Sequence, residues 1–396
     1  MIRIFFKTIW NNRKRNILVF IELLMISLVL VNLTAYLVNL VTIYRIKNCY
    51  NTDNVVLINI SNKESEDEDV SIRSFMNLKK ILSSNAFVES VSISTTALPY
   101  NYNLYSTDFK SNDQHFNLAL REVDIDYASV MKITPLKGRW FDETDMGKSV
   151  LPIIISKGID DKYFNGNSVG KILEQDKKQY EIIGVVDEFK RSDIERPYPF
   201  GFLFLEKINP KTYWSTSFLV RTKEGMTGNM LSVAENQVYS TLNPRNWTIR
   251  NLNTLENMRV RQNDNSSQRN YLSIIMALFI MINVFLGTIG ILWYNTNLRI
   301  HEIGIKRAVG STGAGIRRLL IAENLFVAGL ALLIVILIIM QLPEFSPGPG
   351  NKLEPGVFSR SVRISIITMI LMVLLSTWIP AAIASKIRPA TALKTE

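Results

Sequence analysis

Few side chains in this 396-residue sequence are of the types that catalysis or metal binding requires. It has two histidines, His115 and His301, and one cysteine, Cys49. His301-Glu302 is followed by Ile-Gly-Ile at 303–305, so no second histidine completes the H-E-x-x-H zinc pattern. A single cysteine cannot form an intrachain disulfide or a pair of zinc-binding thiolates. The sequence therefore predicts no metal centre and a protein that is not an enzyme.

A phosphate-binding loop is also incomplete. Gly147-Lys148-Ser149 has the ending of the G-x-x-x-x-G-K-[ST] motif, but the first glycine of that motif would fall at Asp142. We therefore expect no nucleotide site and no other cofactor on this chain. Any ATP-dependent work would use nucleotide bound by a partner subunit.

Positive charge is concentrated in the stretch from Leu298 to Glu323, between two long apolar segments. Loops between membrane spans that are rich in Lys and Arg lie on the cytoplasmic side. The stretch has helical character, and we expect its glycines to break the helix. Its basic residues are Arg299, Lys306, Arg307, Arg317 and Arg318, and its glycines are Gly304, Gly310, Gly313 and Gly315.

We predict that this basic stretch docks a soluble partner. Ile303, Ile305 and Val309 offer an apolar face, while Gly304 and Gly310 allow close approach of a partner's backbone. The candidate docking residues are Arg299, Glu302, Ile303, Gly304, Ile305, Lys306, Arg307, Ala308, Gly310 and Ser311. A juxtamembrane helix held by anionic lipid is an alternative that composition does not separate from docking.

The formal net charge of +10 does not indicate nucleic acid. Much of the excess flanks apolar segments, where membrane topology explains it. We expect membrane lipid and no nucleic acid among the partners.

Four apolar segments are long enough to cross roughly 30 Å of hydrocarbon. The predicted spans are 17–44, 271–294, 317–342 and 364–384. We expect the first to be an uncleaved anchor, because it is longer than the apolar region of a signal peptide. An amphipathic helix is predicted at 1–16, a coupling loop with helix at 295–316, an external loop at 343–363 and a tail at 385–396. Lys and Arg number five at 1–16, five at 299–318 and three in the tail, against three in the external loop, so both termini should be cytoplasmic.

Residues 45–268 read as a large extracytoplasmic α+β domain. Alternating and buried-type strand patterns flank helical patterns twice, at 45–99 and 213–253, which predicts two β-α-β units. The interval 100–212 reads as a strand-rich inserted subdomain, and 254–270 as a helical stalk. The fold class is therefore a four-helix membrane protein with a ferredoxin-like, porter-type module that carries a second subdomain. In the second span, Asn283, Gly287 and Gly290 are a candidate helix-packing or dimer face, because small residues let backbones approach.

Several motifs then occur in a characteristic order. Residues 301–311 read HEIGIKRAVGS after Arg299, residues 136–141 read LKGRWF with Asp145 following, and Pro380 precedes Ala381-Ala382. These motifs resemble the MacB/FtsX-like family of ABC transporter permeases, as a stand-alone permease subunit without a fused ATPase. The residues matched to family structural motifs are Gly138, Arg139, Gly170, Gly184, Pro380 and Pro389.

The resemblance implies a function and a set of partners. The chain would be the permease subunit of a MacB-type transporter in a bacterial cytoplasmic (inner) membrane. It would pass the ATP-driven motion of a separate ABC ATPase to its outer domain, for efflux of a peptide, drug or similar amphiphile. A second permease subunit, identical or related, is implied, together with a periplasmic adaptor and an outer-membrane channel.

Two alternatives stay open on the sequence. The same fold serves lipoprotein release and the regulation of cell-wall hydrolases, and the sequence does not name the cargo. A membrane-anchored sensor or adhesion module with no ATPase belongs to another class. Co-purified partners distinguish all of these.

Overall fold

The chain folds as two compact units. The computed structural model describes residues 13–62, 68–95, 97–100, 105–111, 114–176, 178–191, 193, 195–205, 216–341 and 355–384. A helical unit comprises Met1–Thr42 and Arg269–Glu396, and a sheet unit comprises Ile43–Gln268. Most of the predicted surface helix 1–16, the first part of the loop 343–363, and the tail 385–396 with Pro389 lie outside the described residues.

Two β-α-β units build one part of the sheet unit. The first is β1 (Val55–Asn62), α2 (Glu68–Ser83) and β2 (Val88–Ser94), and the second is β10 (Thr216–Thr222), α5 (Thr227–Thr241) and β11 (Trp247–Thr254). The strands lie in the order β11-β1-β10-β2, and each neighbouring pair is antiparallel. The two units therefore interleave in one four-stranded segment.

Apolar side chains of β1 lie on both faces of the sheet. Val56, Ile58 and Ile60 pack in the cluster that contains Phe75 of α2 and Met230 of α5. Val55 and Leu57 belong to a different cluster, because successive side chains point to opposite faces of a strand. Both faces of this segment are covered, which is typical of strands that read as continuous hydrophobic runs.

The remaining seven strands include six that form a closed ring. The seven are β3 (Tyr105–Ser111), β4 (Gln114–Val123), β5 (Lys137–Gly138), β6 (Leu151–Ser156), β7 (Ile172–Gln175), β8 (Lys178–Val186) and β9 (Phe200–Phe204). The sheet continues from β2 as β4-β3-β7-β8-β6-β9, and β9 pairs with β4 again, so these six strands close on themselves. Strand β5 pairs with β8 outside this path. Two short helices follow in the chain, α3 (Tyr127–Met131), which contacts β2 and β10, and α4 (Lys157–Phe164), which contacts β6 and β8. A 3-10 turn lies at Glu143–Asp145.

Long apolar helices make up the helical unit. They are α1 (Arg13–Arg45), α6 (Leu255–Asn297), α8 (Gly313–Gln341) and α9 (Pro355–Ala384), with the short α7 (Ile300–Ala308) between α6 and α8. Within the described residues, four segments are long and apolar enough to cross a membrane: Val19–Arg45, Tyr271–Asn297, Gly313–Gln341 and Gly356–Ile383. Helix α6 is continuous over the predicted stalk and the second span.

Side chains from all four long helices share one core, which includes Val31, Leu292, Val335 and Val373. Small polar groups also join the helices. The hydroxyls of Thr34 and Ser365 lie 2.5 Å apart, and Asn324 Nδ2 donates to Thr377 Oγ1 at 3.3 Å. Interhelical hydrogen bonds of this kind stabilise helix association in lipid, where apolar contact alone gives little preference for protein over lipid.

Two predictions about this unit are wrong in detail. The sequence predicts an external loop over 343–363, but residues 355–363 are helical. Pro355 fits the first position of α9 because the backbone N–H that proline lacks has no partner within the helix there. The sequence also predicts that all four glycines of the basic stretch break its helix. Gly304, Gly313 and Gly315 lie within helices instead, and of the four Gly310 alone lies between α7 and α8.

Cys49 is expected to be unreactive in the folded protein. Its side chain is buried, and burial raises the pKa of its thiol, which leaves little of the nucleophilic thiolate at neutral pH. N-ethylmaleimide at pH 7 should therefore label Cys49 only after denaturant is added, as read by intact mass. A Val169→Cys variant, whose new thiol replaces an exposed side chain, is the labelled control. Full labelling of native wild-type protein within minutes would contradict this assignment.

Candidate functional site

Helix α7 has a well-defined N-terminus and a well-defined C-terminus. Arg299 is its N-cap residue. At the other end, Gly310 N–H donates to Arg307 O at 3.1 Å and Ser311 N–H to Lys306 O at 3.0 Å. These are the two bonds of a Schellman motif, which requires a left-handed residue after the helix. Gly310 supplies it with φ +99°, so glycine here ends α7 and turns the chain towards α8.

A buried ion pair fixes the start of α7. Arg299 Nη1 donates to Glu323 Oε2 at 2.7 Å and Nη2 donates to Oε1 at 3.1 Å. Each side chain is only 3% exposed. Two parallel bonds to one carboxylate fix orientation as well as distance. Arg299 also lies 3.5 Å from Glu302 Oε2. The guanidinium of Arg299 is therefore committed to α8, and its contact with a partner stays a prediction.

Ile303 and Gly304 also face their own chain. Ile303, 4% exposed, packs with Ile316 and Leu320 of α8 and Ala381 of α9. Gly304 is buried beside it. The prediction that Ile303 and Ile305 share an exposed apolar face is wrong, because residues two apart lie about 200° apart around a helix. Ile303 and Gly304 hold α7 against α8 and α9 instead.

The opposite side of α7 is exposed in the described part of the chain. Val309 is 84% exposed and Ile305 is 45% exposed. Ala308, Gly310 and Ser311 are exposed as well, while Glu302, Lys306 and Arg307 are half-buried. The surface formed by residues 305 and 308–311, called here the α7 face, thus combines two large apolar side chains with exposed backbone at a glycine. Contact of this face with a partner stays a prediction.

Three further predicted residues lie on α6. Asn283 Nδ2 donates to Phe279 O in its own helix at 2.8 Å, and Gly287 and Gly290 are exposed. A side chain on Gly290 would meet nothing within 4 Å among the described residues, and one on Gly287 would meet only Glu22 Oε1 at 3.9 Å. The small-residue face is therefore not used for close packing within the described part of this chain.

Gly138 and Gly184 form a tight pair between β5 and β8. They lie directly opposite each other in the antiparallel register. A Cβ on Gly138 would collide with Ile183 O, and a Cβ on Gly184 would collide with Arg139 O. Gly138 also has φ +68°, which other residues adopt at a cost. These glycines serve the fold by letting two backbones meet.

Arg139 follows this pair and stabilises a turn. It donates to both carboxylate oxygens of Asp145 at 2.6 Å, and Lys148 Nζ donates to the same carboxylate at 2.7 Å. Hydrogen bonding by Arg139 holds the pKa of Asp145 well below its usual range. Asp142 completes a capping box with Asp145 over the 3-10 turn.

Asp145→Asn is expected to destabilise the protein at neutral pH by about 1.5–3 kcal/mol, the typical worth of hydrogen bonds to a charged group. The lowered pKa means that the stabilisation is complete above the ordinary Asp pKa of about 3.9 and is lost as the pH falls below it. Thermal midpoints of full-length wild type and variant should therefore differ at pH 7 and converge as the pH falls below about 4. A pH-independent difference would contradict this assignment.

Gly170, Pro380 and Pro389 are the remaining family-motif positions. Gly170 has φ +81° and donates its N–H to Ile182 O at 2.7 Å, which sets the turn before β7. Pro380 lies inside α9, and Pro389 lies outside the described residues. Among the described residues, no group of three or more His, Cys, Asp or Glu side chains could hold a metal ion.

Sequence reasoning missed the residues that position α7. The sequence analysis does not include Glu323, Ile316, Leu320 or Ala381 among the site residues, although the Arg299–Glu323 pair holds the start of α7 against α8. One signal was available, since an acidic residue inside a membrane span usually has a partner in the protein interior. The sequence separation of Arg299 and Glu323 does not predict that they pair.

The comparisons with known proteins agree with this architecture. A profile of the MacB-like periplasmic core domain matches residues 24–232, and a profile of the FtsX-like permease C-terminal segment matches residues 274–389. The macrolide export ATP-binding/permease protein MacB of Escherichia coli O157:H7 is 24% identical over 306 residues, which cover 72% of this chain and 46% of that protein. MacB 1/2 of Paracoccus denitrificans is 26% identical over 211 residues, which cover 51% of this chain and 30% of that protein.

The chain thus matches less than half the length of each of these relatives. Among solved structures, the periplasmic region of MacB from Actinobacillus actinomycetemcomitans is similar with a TM-score of 0.35 and 15% identity, over 52% of this chain and 91% of that one. The periplasmic-core profile alone matches more than half of the 396 residues. The chain belongs to the MacB-like family of permeases, with a MacB-like periplasmic core domain followed by an FtsX-like permease segment.

Proposed function

We propose that this chain is the permease subunit of a MacB-type ABC transporter and that α7 receives the motion of an ABC ATPase, expected as a separate subunit. The observation that carries the proposal is the two-sided character of α7. One side is fixed to α8 and α9 by the Arg299–Glu323 pair and by Ile303, and the other presents Ile305 and Val309. A helix held this firmly passes on a displacement rather than absorbing it.

The route onward follows the chain. Only Leu298 and Arg299 separate α7 from α6, and α6 runs without interruption from Asn297 back to Leu255 in the sheet unit. A push on α7 would therefore reach the sheet unit through a single rigid element. Substrate would be handled by the outer domain and need not pass between the spans.

The orientation belongs to the same proposal. With four spans, α7 and both termini would lie in the cytoplasm and residues 45–268 outside it, in a bacterial inner membrane. The bias of Lys and Arg supports this arrangement. We also infer that the four-stranded segment is a ferredoxin-like module, since two β-α-β units interleave there in a fully antiparallel order.

A second permease subunit is proposed to pack on α6. Its segment Tyr271–Asn297 is largely exposed, and the small-residue positions Gly287 and Gly290 lie on that exposed surface. Small residues at such positions favour close helix approach in membranes. Whether the second subunit is identical is decided by co-purification of differently tagged chains.

Efflux of an amphiphile is the proposed task, because both relatives are named as macrolide export proteins. The test is purification of the full chain from its native membrane with mild detergent. An ATP-hydrolysing subunit should co-purify in a fixed ratio, with a periplasmic adaptor and an outer-membrane channel if the task is efflux. A lipoprotein carrier would indicate lipoprotein release, and a cell-wall hydrolase would indicate regulation. Failure to find any ATP-binding subunit would overturn the proposal and favour a sensor.

A further inference from the structure

Lys190, in the loop after β8, caps the end of α1. Its ammonium donates to Ile43 O at 3.0 Å, to Ile46 O at 3.3 Å and to Asp193 O at 3.0 Å. An ammonium has three N–H donors, and each has a carbonyl acceptor here. The last carbonyls of a helix lack partners within it and favour a nearby cation. Lys190 is almost fully buried, so these bonds are sheltered from water.

The same loop also holds the start of α6. Asp193 Oδ2 accepts a bond from Arg259 Nε at 2.8 Å and one from Asn263 Nδ2 at 2.7 Å. Arg259 and Asn263 are four residues apart and therefore lie on one face of α6. Asp193 thus joins the two helices, because its carbonyl binds Lys190 while its carboxylate binds α6.

An aromatic anchor fastens this loop to the sheet unit. Phe189, about 1% exposed, packs with its ring centroid 4.7 Å from that of Tyr50 and 3.9 Å from the guanidinium carbon of Arg121. On either side of it, Cys49 N–H donates to Glu188 O at 2.8 Å and the Tyr50 hydroxyl donates to Lys190 O at 2.5 Å. The loop is therefore held both by its backbone and by its side chains.

We infer that Phe189, Lys190 and Asp193 form a clasp that makes the end of α1 and the start of α6 move as one body with the sheet unit. These are positioning residues. The spacing of these three residues in the sequence does not predict that they lie beside the end of α1 and the start of α6. Their part in carrying ATP-driven motion rests on the proposed function, whereas the joining of the two helix ends does not.

The joining is tested by hydrogen–deuterium exchange on the full chain in nanodiscs of phosphatidylethanolamine and phosphatidylglycerol, without nucleotide. Lys190→Met, which removes the α1 contacts, should speed exchange at least fivefold in peptides covering 255–264 of α6. Asp193→Asn, which weakens the α6 contacts, should do the same at 44–51. Lys178→Met, at an exposed lysine of β8, is the matched control and should change neither. The clasp is overturned if each variant changes exchange only in the helix whose contacts it removes. If Lys190→Met does not fold, Asp193→Asn alone tests the clasp.

The role in transmission is tested by adding the co-purified ATPase with ATP and vanadate. Wild type should show a nucleotide-dependent change of exchange in 216–254, and Lys190→Met should lose that change while its ATPase rate stays within twofold of wild type. A retained response in Lys190→Met would show that motion does not pass through the clasp. An absent response in wild type would contradict the proposed function instead, and the nucleotide-free experiment still decides the clasp.

Discussion

Glu323→Gln is expected to lower the free energy of unfolding of the helical unit by about 3–5 kcal/mol, the usual cost of leaving one member of a buried ion pair without its partner. Arg299 would keep its charge in a site that is 3% exposed, and the partly exposed carboxylate of Glu302, 3.5 Å from its Nε, would be left as its acidic neighbour. The thermal midpoint of the full chain in detergent, followed by tryptophan fluorescence, should fall by roughly 10 °C. Any activity coupled to the ATPase should fall with it, because α7 would no longer be fixed to α8.

Three variants control this experiment. Glu235→Gln removes an exposed carboxylate from α5 and should leave the midpoint unchanged. Arg299→Lys keeps the charge but loses the paired geometry, so it should lie between wild type and Glu323→Gln. The double variant Arg299→Glu with Glu323→Arg restores opposite charges and should recover part of the loss. A midpoint for Glu323→Gln within 1 °C of wild type would show that the ion pair does not hold α7.

Val309→Asp is expected to weaken binding of the ATPase by about tenfold to a hundredfold while leaving stability unchanged. Val309 is 84% exposed in this chain, so a carboxylate there stays in solvent before a partner binds. In a docked complex, the lost burial of a valine is worth about 1.5–3 kcal/mol, and each 1.4 kcal/mol is a factor of ten in affinity. Binding of purified ATPase to the chain in nanodiscs, together with stimulated ATP hydrolysis, measures the effect.

Val169→Asp is the matched control for this variant, because it makes the same change at an exposed valine of the sheet unit. It should bind the ATPase as wild type does. Gly304 is a poorer position for this test than Val309, since a large side chain at a buried glycine would disturb the packing of α7 on α8. Normal binding and normal stimulation by Val309→Asp would remove the α7 face from the docking surface.

The sequence located the basic stretch but not the orientation of its helix. Charge, glycines and flanking apolar segments are local features, and they placed a helix close to 300–308. Which side of that helix faces inward depends on α8 and α9, whose packing no local pattern records. Ile303 and Ile305 look alike in the sequence and differ in the structure because they lie on opposite sides of one turn. Arg299 and Glu323 meet because α8 returns beside α7.

The sheet unit shows the same limit. A short apolar run identifies β1 and alternating hydrophobicity identifies β2, and such patterns predict the two β-α-β units around the insertion. The closure of six strands into a ring depends on the pairing of β4 with β9, which are far apart in the chain. Non-local pairing is set by the packing of the whole unit. The clasp has the same origin, since Lys190 reaches the end of α1 only after β8 is in place.

Photo-crosslinking from position 309 tests the central claim most directly. A benzophenone amino acid at Val309 would lie on the exposed α7 face, and irradiation of native membranes would attach it to whatever covers that face. The account predicts a product that contains an ATP-hydrolysing subunit, and no such product from the same probe at position 169. A product with lipid alone, or reaction with a protein outside the cytoplasm, would contradict it.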